Sequence, residues 1–155
     1  MADQLRLDAT GVLIPCQACG STNRLKYGAL DRPTRCGRCQ ATLPFPSTPI
    51  DVPSAAVFDA ATGSSSVPVI VDFWAAWCGP CRMMAPELEK VAVRTSGRAL
   101  VLKVDTDQNP ELSERYTIRS IPTLAVFQGG REVERTAGAQ PASAVEAMLS
   151  RHAHA

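Results

Sequence analysis

The chain has 155 residues, 45% of them hydrophobic and 20% charged, with a formal net charge of +1. That length accommodates one domain of about 100 residues plus a smaller module, and the near-neutral balance provides no field that would gather a polyanion. No nucleic-acid partner is therefore expected. With no apolar run long enough to span a bilayer and no leader pattern before Pro15, a membrane protein and a secreted one are not expected, and a cytoplasmic setting is.

Six cysteines form three Cys-x-x-Cys pairs. In a reducing compartment such pairs are metal ligands or catalysts rather than a disulfide scaffold. Cys16 with Cys19 and Cys36 with Cys39 are separated by 16 residues, within the spacing of paired zinc knuckles. Each pair curls its sulfurs toward one point, and two such turns supply the four thiolates that Zn2+ accepts at about 2.3 Å. Gly20 and Gly37 stand where the tight turns are expected. Leu25, Tyr27, Leu30 and Leu43 are the core candidates of this segment, too few to hold it without help. One bound zinc would contribute about 10 to 16 kcal/mol. Two local disulfides or further redox pairs are the alternatives, although neither pair has a strand-to-helix setting. Residues 1–47 carry six Lys and Arg against three Asp. Four thiolates and one zinc would bring that excess down to about +1, and Tyr27 is the single aromatic between the pairs, so no phosphate or base platform is expected.

Three prolines between Leu43 and Pro49 predict an extended linker and a loose tether between a module of residues 1–46 and a domain of residues 47–155. A short strand at Ile50, Asp51 and Val52 comes next, weakly marked. A helix begins near Ser54 and stops before Gly63. Val67 to Trp74 is nearly continuous in apolar and β-branched residues, as a strand covered on both faces should be. From Pro80 to about Gly97, Met83, Met84, Leu88, Val91 and Ala92 recur at helical spacing, with Pro86 as a kink. Trp74, Met83 and Met84 are expected in the core. A strand from Ala99 to Asp105 and a short helix around Pro110 to Tyr116 follow. Thr123 to Gln128 and Glu132 to Thr136 flank Gly129 and Gly130 as an antiparallel hairpin. A last amphipathic helix runs from Pro141 to His152, with His152 and His154 as frayed tail residues rather than metal ligands. The sum is an α/β fold with a mixed sheet between helices.

The third pair, in Trp77-Cys78-Gly79-Pro80-Cys81, lies where the buried strand enters the long helix. A thiol there meets the positive end of the helix dipole and unpaired N–H groups, which favour its thiolate. Cys78 is the better placed, and Cys81 is expected deeper. Asp72, in a strand covered on both faces, is costly to bury ionised, so its pKa should rise toward neutrality. A solvated strand end is the alternative for Asp72, and a lysine snorkelling to water the alternative for Lys103.

The segment from Asp72 to Cys81 resembles the active-site segment of the thioredoxins. The likeness continues through Pro86, Lys103-Val104-Asp105, Asp107 to Pro110, Tyr116 to Leu124 and the Gly129-Gly130 turn, over roughly residues 50 to 151. With its four added cysteines the chain is similar to bacterial thioredoxins of the second type, which carry a zinc module. The resemblance implies a thioredoxin fold preceded by a zinc-ribbon-like module, and a protein-disulfide reductase recycled by an NADPH-dependent thioredoxin reductase. It implies Cys78 as nucleophile, Cys81 as resolving thiol, Asp72 as proton acceptor and donor, and Lys103 as its electrostatic partner. It also implies a cis peptide bond before Pro122 and a client-binding rim of Trp77, Gly79, Pro80, Ile121, Pro122 and Gly138. Ala76 departs from the charged or polar residue that many thioredoxins have there, which opens a different partner preference. A monomer is expected, with zinc at Cys16, Cys19, Cys36 and Cys39 in a structural or redox-sensing role. The alternative is a zinc-dependent adaptor or redox-regulated chaperone that uses the redox domain for docking.

Overall fold

A computed structural model describes residues 4–152. The N-terminal module is a three-stranded antiparallel sheet of β1 (Arg6–Leu7), β2 (Gly11–Pro15) and β3 (Thr22–Lys26). Sequence reading saw only the short apolar run before Pro15; Leu5, Leu7, Val12 and Ile14 prove to be buried alongside Leu25, Tyr27, Leu30 and Leu43. The Tyr27 hydroxyl donates to the Asp8 carbonyl at 2.7 Å, which satisfies its one polar atom in the core.

The first knuckle closes the β2–β3 turn and the second is flanked by a bridge between Arg35 and Thr42. Their backbones repeat one pattern. Gly20 N–H donates to the Cys16 carbonyl and Gln40 N–H to the Cys36 carbonyl, at 2.8 and 2.9 Å, while Cys16 and Cys36 N–H reach Ser21 and Ala41. The residue after each pair is left-handed, Gly20 at φ 77° and Gln40 at φ 67°. The expectation that Gly37 serves the second turn is therefore corrected: the position that needs freedom is Gln40, which lies after the pair and not between its cysteines. A side chain costs about 1 kcal/mol in that conformation. Gln40→Gly is expected to raise stability by about that much, seen as a higher urea midpoint; an unchanged or lower midpoint would count against the strain.

The main domain is a five-stranded sheet in the order β4 (Ile50–Asp51), β6 (Leu100–Asp105), β5 (Val69–Trp74), β7 (Thr123–Gln128), β8 (Arg131–Ala137). β4 and β5 run parallel to β6, and β5–β7 and β7–β8 pair antiparallel, so the weakly marked first strand is real. Helix α1 (Ala55–Ser64) has Ser54 as N-cap, its hydroxyl accepting from Val57 N–H at 3.2 Å. It runs on through Gly63, where a stop was expected. α2 (Gly79–Arg94) carries Pro86 inside it, and α3 (Pro110–Arg115) and α4 (Ala142–Ser150) complete the layers.

Alternation along the strands sorts two cores. Val69, Val71, Phe73, Leu102, Val104 and Phe127 share a cluster with Phe58 of α1 and Leu112 of α3. Ile70, Val101, Leu124 and Val126 meet Met84, Leu88 and Val91 of α2 and Val145, Met148 and Leu149 of α4. Met83 is the correction here. Its side chain is 70% exposed because it turns away from the face that Met84 and Leu88 bury.

The loose tether is corrected as well. The module's apolar residues belong to the same cluster as Ile50, Val52 and Phe58, so one core runs through both parts. Ser66 N–H donates to the Tyr27 carbonyl at 2.9 Å and Leu30 N–H to the Ser66 hydroxyl at 3.1 Å. Within the proline-rich stretch Leu43 and Pro46 are buried, and the Phe45 ring stands 3.1 Å from the place a Cβ on Gly97 would occupy. The proline-rich stretch has no helix or strand, but Leu43, Phe45 and Pro46 pack instead of facing water. At the other end His152 bonds Glu134 at 2.9 Å and its carbonyl accepts from Gln128 Nε2 at 2.5 Å, so it is anchored and not frayed. His154 lies outside the described residues.

Candidate active site and metal centre

β5 delivers the chain to the top of the sheet, and the turn at Ala75 to Trp77 leads into α2. Cys78 is the N-cap of that helix, and Cys81 N–H points at its sulfur from 3.2 Å. The two cysteines form a disulfide with Cα atoms 5.3 Å apart. Burial does not separate them, since Cys78 and Cys81 are 4% and 5% exposed in this oxidised form. A sulfur at an N-cap holds an N–H donor and the positive helix end, both of which favour an anion there.

Opposite the pair, the Ile121–Pro122 peptide bond is cis. The Ile121 carbonyl oxygen lies 3.7 Å from Cys78 Sγ. Gly138, at φ 91°, donates its N–H to the Pro122 carbonyl at 2.8 Å, so the end of β8 backs this loop. Gly79 and Pro80 line the turn beside the disulfide. Trp77 is 68% exposed, and its indole N–H donates to Asp107 Oδ2 at 3.0 Å. Sequence reasoning did not assign Asp107 a place at the rim; an acid in the loop after β6 gave no signal without the fold. Exposed Met83 stands on the outer face of the first turns of α2.

Asp72 lies beneath, in register with Lys103 of β6 and Leu124 of β7, on the sheet face that α2 covers. It is 1% exposed, and its Oδ1 has no hydrogen-bond partner among the described residues. Burial pushes its pKa up to about 7, against the opposing pull of Lys103. Lys103 is half-buried with Nζ 4.4 Å from the Trp74 ring centroid. The solvated-strand-end alternative for Asp72 is thereby removed.

The other four sulfurs, of Cys16, Cys19, Cys36 and Cys39, all lie within 4.8 Å of one another. Four sulfurs about 2.3 Å from a common centre define tetrahedron edges of about 3.8 Å. The observed Cys16–Cys39 and Cys19–Cys36 separations are 3.6 and 3.7 Å, so the donor set fits a tetrahedral thiophilic cation. The Ser21 hydroxyl, together with the Cys39 backbone and Asn23, draws the Cys36 thiol down to about 5, and Ser21 lowers Cys19 too. Cys39 is pushed up to about 11: the Ala41 backbone favours its thiolate, but the Cys16 sulfur, burial and the other sulfurs outweigh it. Four sulfurs this close could hold a metal ion as thiolates. Ser21 and Asn23 were missed in the sequence, although a hydroxyl placed directly after Cys-x-x-Cys-Gly is the signal that could have found the first.

A disulfide capping a helix, a cis-proline loop across from it and a buried acid below define a thiol–disulfide oxidoreductase. Comparison with known proteins agrees. The Thioredoxin family profile matches residues 49–151. "Thioredoxin C-3" of Corynebacterium nephridii is 39% identical over 128 residues, covering 83% of this chain and 86% of that protein, so the likeness reaches into the N-terminal module. The "Bifunctional thioredoxin reductase/thioredoxin" of Mycobacterium leprae is 46% identical over 101 residues, 65% of this chain and 22% of that one. Among solved structures, a point-mutant thioredoxin from Halobacterium salinarum superimposes with a TM-score of 0.66 at 34% identity, covering 72% of this chain and 96% of that one. The chain belongs to the thioredoxin family.

Proposed function

We propose that the protein reduces disulfides in client proteins through Cys78 and Cys81, and that one zinc ion holds its N-terminal module. The observation that carries the first part is the N-capping sulfur of Cys78, with Cys81 N–H 3.2 Å away and the cis-proline loop across from it. The Cys78 thiolate attacks one sulfur of a client disulfide, forming a mixed disulfide and releasing the other sulfur as a thiolate. Cys81 loses its proton to Asp72 and attacks Cys78, forming the Cys78–Cys81 disulfide and freeing the second client thiolate. Two electrons have then passed to the client. Asp72 is suited to the proton step because a carboxyl near pKa 7 both takes and returns a proton at neutral pH. Lys103 keeps that value from rising further. The rim of Trp77, Gly79, Pro80, Ile121, Pro122 and Gly138 receives an extended client segment, with the Ile121 backbone as its hydrogen-bonding edge.

The oxidised pair is returned to the dithiol by an NADPH-dependent thioredoxin reductase; the fused Mycobacterium leprae relative favours such a partner. Among the described residues no helix is long and apolar enough to cross a membrane. A monomer acting in the cytoplasm is the setting that suits this chemistry. The test is insulin-disulfide reduction coupled to NADPH oxidation with a bacterial thioredoxin reductase. Turnover of NADPH that needs both proteins supports the reading, and reductase-independent or absent turnover sinks it.

Zinc would be held by Cys16, Cys19, Cys36 and Cys39, where it supplies charge neutralisation and folding energy. A structural role is favoured by the single core shared with the redox domain. Chelation of the metal should therefore lower the melting temperature of the whole chain by about 10 °C or more, followed by circular dichroism. A melting transition of the redox domain that ignores the chelator would count against this.

A further inference from the structure

The four module sulfurs are not equivalent. Cys36 is fully buried and receives three contacts: the Ser21 hydroxyl at 3.2 Å, Asn23 Nδ2 at 3.4 Å and the Arg38 N–H at 3.3 Å. Cys19 is 3.1 Å from the same Ser21 hydroxyl. Asn23 is itself fixed, since its Oδ1 accepts from Gly37 N–H at 3.0 Å and ties the second knuckle to β3. Among the described residues no side-chain N–H or O–H reaches the sulfur of Cys16 or Cys39. Cys16 is buried and Cys39 exposed, with their sulfurs 3.6 Å apart.

Hydrogen bonds to a thiolate, like those to any ligand atom, spread its charge and hold its orientation toward the metal. Cys39 has the Ala41 backbone beside it but no side-chain donor, so it keeps more of its nucleophilicity than Cys36, and exposure lets a reagent arrive. We propose that Ser21 and Asn23 are positioning residues of the metal centre that secure Cys19 and Cys36, so that the centre opens at Cys39, the site at which a soluble electrophile modifies the module. The inference rests on the metal reading above.

The chemistry needs no oxidant. With a metal held by the four sulfurs, Cys39 would be the ligand given up: its thiolate adds across the double bond of the electrophile to form a carbon–sulfur bond, and the neighbouring carbon takes a proton from water, leaving hydroxide. With three ligands left the metal is released more readily, and Cys16 loses the sulfur it faces.

The experiment uses the full chain as its oxidised form, in which the Cys78–Cys81 disulfide does not react. Metal content is measured first, then the protein is treated with substoichiometric N-ethylmaleimide. Singly labelled molecules are mapped by peptide mass spectrometry while released zinc is followed with a chromogenic chelator. Cys39 should carry most of the label, and zinc release should track it. In Ser21→Ala the rate of labelling should rise about tenfold at whichever of Cys19 and Cys36 takes the single hydroxyl proton, the factor expected for one hydrogen bond lost from a charged group. Ser21→Thr, which keeps the hydroxyl, should restore the wild-type map, as a merely structural role would not require. Label that falls first on Cys19 or Cys36, or evenly on all four, overturns the proposal using the wild-type protein alone. Ser21→Ala with an unchanged map overturns the positioning role. Protein with no metal at all refutes the metal reading itself, and with it this proposal; metal-loaded protein with an unselective map refutes only the proposal.

Discussion

Cys78→Ser is expected to lower insulin-disulfide reduction to the background rate of the reductant, because serine offers no thiolate at neutral pH and Cys81, inside the first turn of α2, lacks the N-cap position whose N–H donor favours an anion at Cys78. Cys81→Ser should behave differently. Its Cys78 still attacks, but nothing resolves the mixed disulfide, so covalent adducts with client proteins should accumulate and be visible as a mass increase that a small dithiol reverses. If Cys81→Ser turned over normally, or if Cys78→Ser formed the adducts instead, the assignment of nucleophile and resolving thiol would be reversed.

Asp72→Asn should stabilise the protein and impair it. Below the unfolded carboxyl's pKa of 3.8 both states hold the proton, and stability is not reduced. Between about pH 4 and pH 7 the unfolded chain releases the proton while the folded one keeps it, so stability falls by about 1.4 kcal/mol per pH unit. Above pH 7 both are ionised and the full cost of about 4 kcal/mol remains. Asparagine has no charge to bury, so Asp72→Asn should gain roughly that amount at pH 8 and almost nothing at pH 3, measured by denaturant titration at both values. Equal gains at the two pH values would show that the carboxyl is not the source. Resolution of the mixed disulfide should slow by about 10² without the proton acceptor, and its pH profile should lose the inflection near 7.

The two results bear on one design. On the proposed mechanism, the buried acid with its unpartnered oxygen is a stability cost that the proton-accepting role would explain. Trp74 Nε1, on the same strand, is the other buried side-chain atom without a partner among the described residues, whereas the Tyr27 hydroxyl and the Asp8 carboxylate in the module have theirs.

Much of this was readable in the chain itself, since the signals are local. The apolar run before Trp74 could hardly form anything but a covered strand. Pro80 just inside a helix start fixed where the cysteine pair would sit, and the spacing of Cys16, Cys19, Cys36 and Cys39 pointed to a tetrahedral centre without reference to any fold. Burial of Asp72 followed from its neighbours in the same strand. What tertiary structure alone decided are contacts between segments far apart in sequence. No periodicity within residues 43–49 tells whether Phe45 faces water or Gly97, because that depends on where the end of α2 lies. Met83 and Met84 have the same hydrophobicity, and only the direction in which α2 approaches the sheet separates the exposed one from the buried one. The Trp77–Asp107 bond spans a β-strand crossover, and the Ser21 contact to Cys36 joins two knuckles. Sequence determined which residues are candidates for the chemistry, through short-range backbone preference and spacing; the packing of distant segments decided how each is held, exposed or shielded.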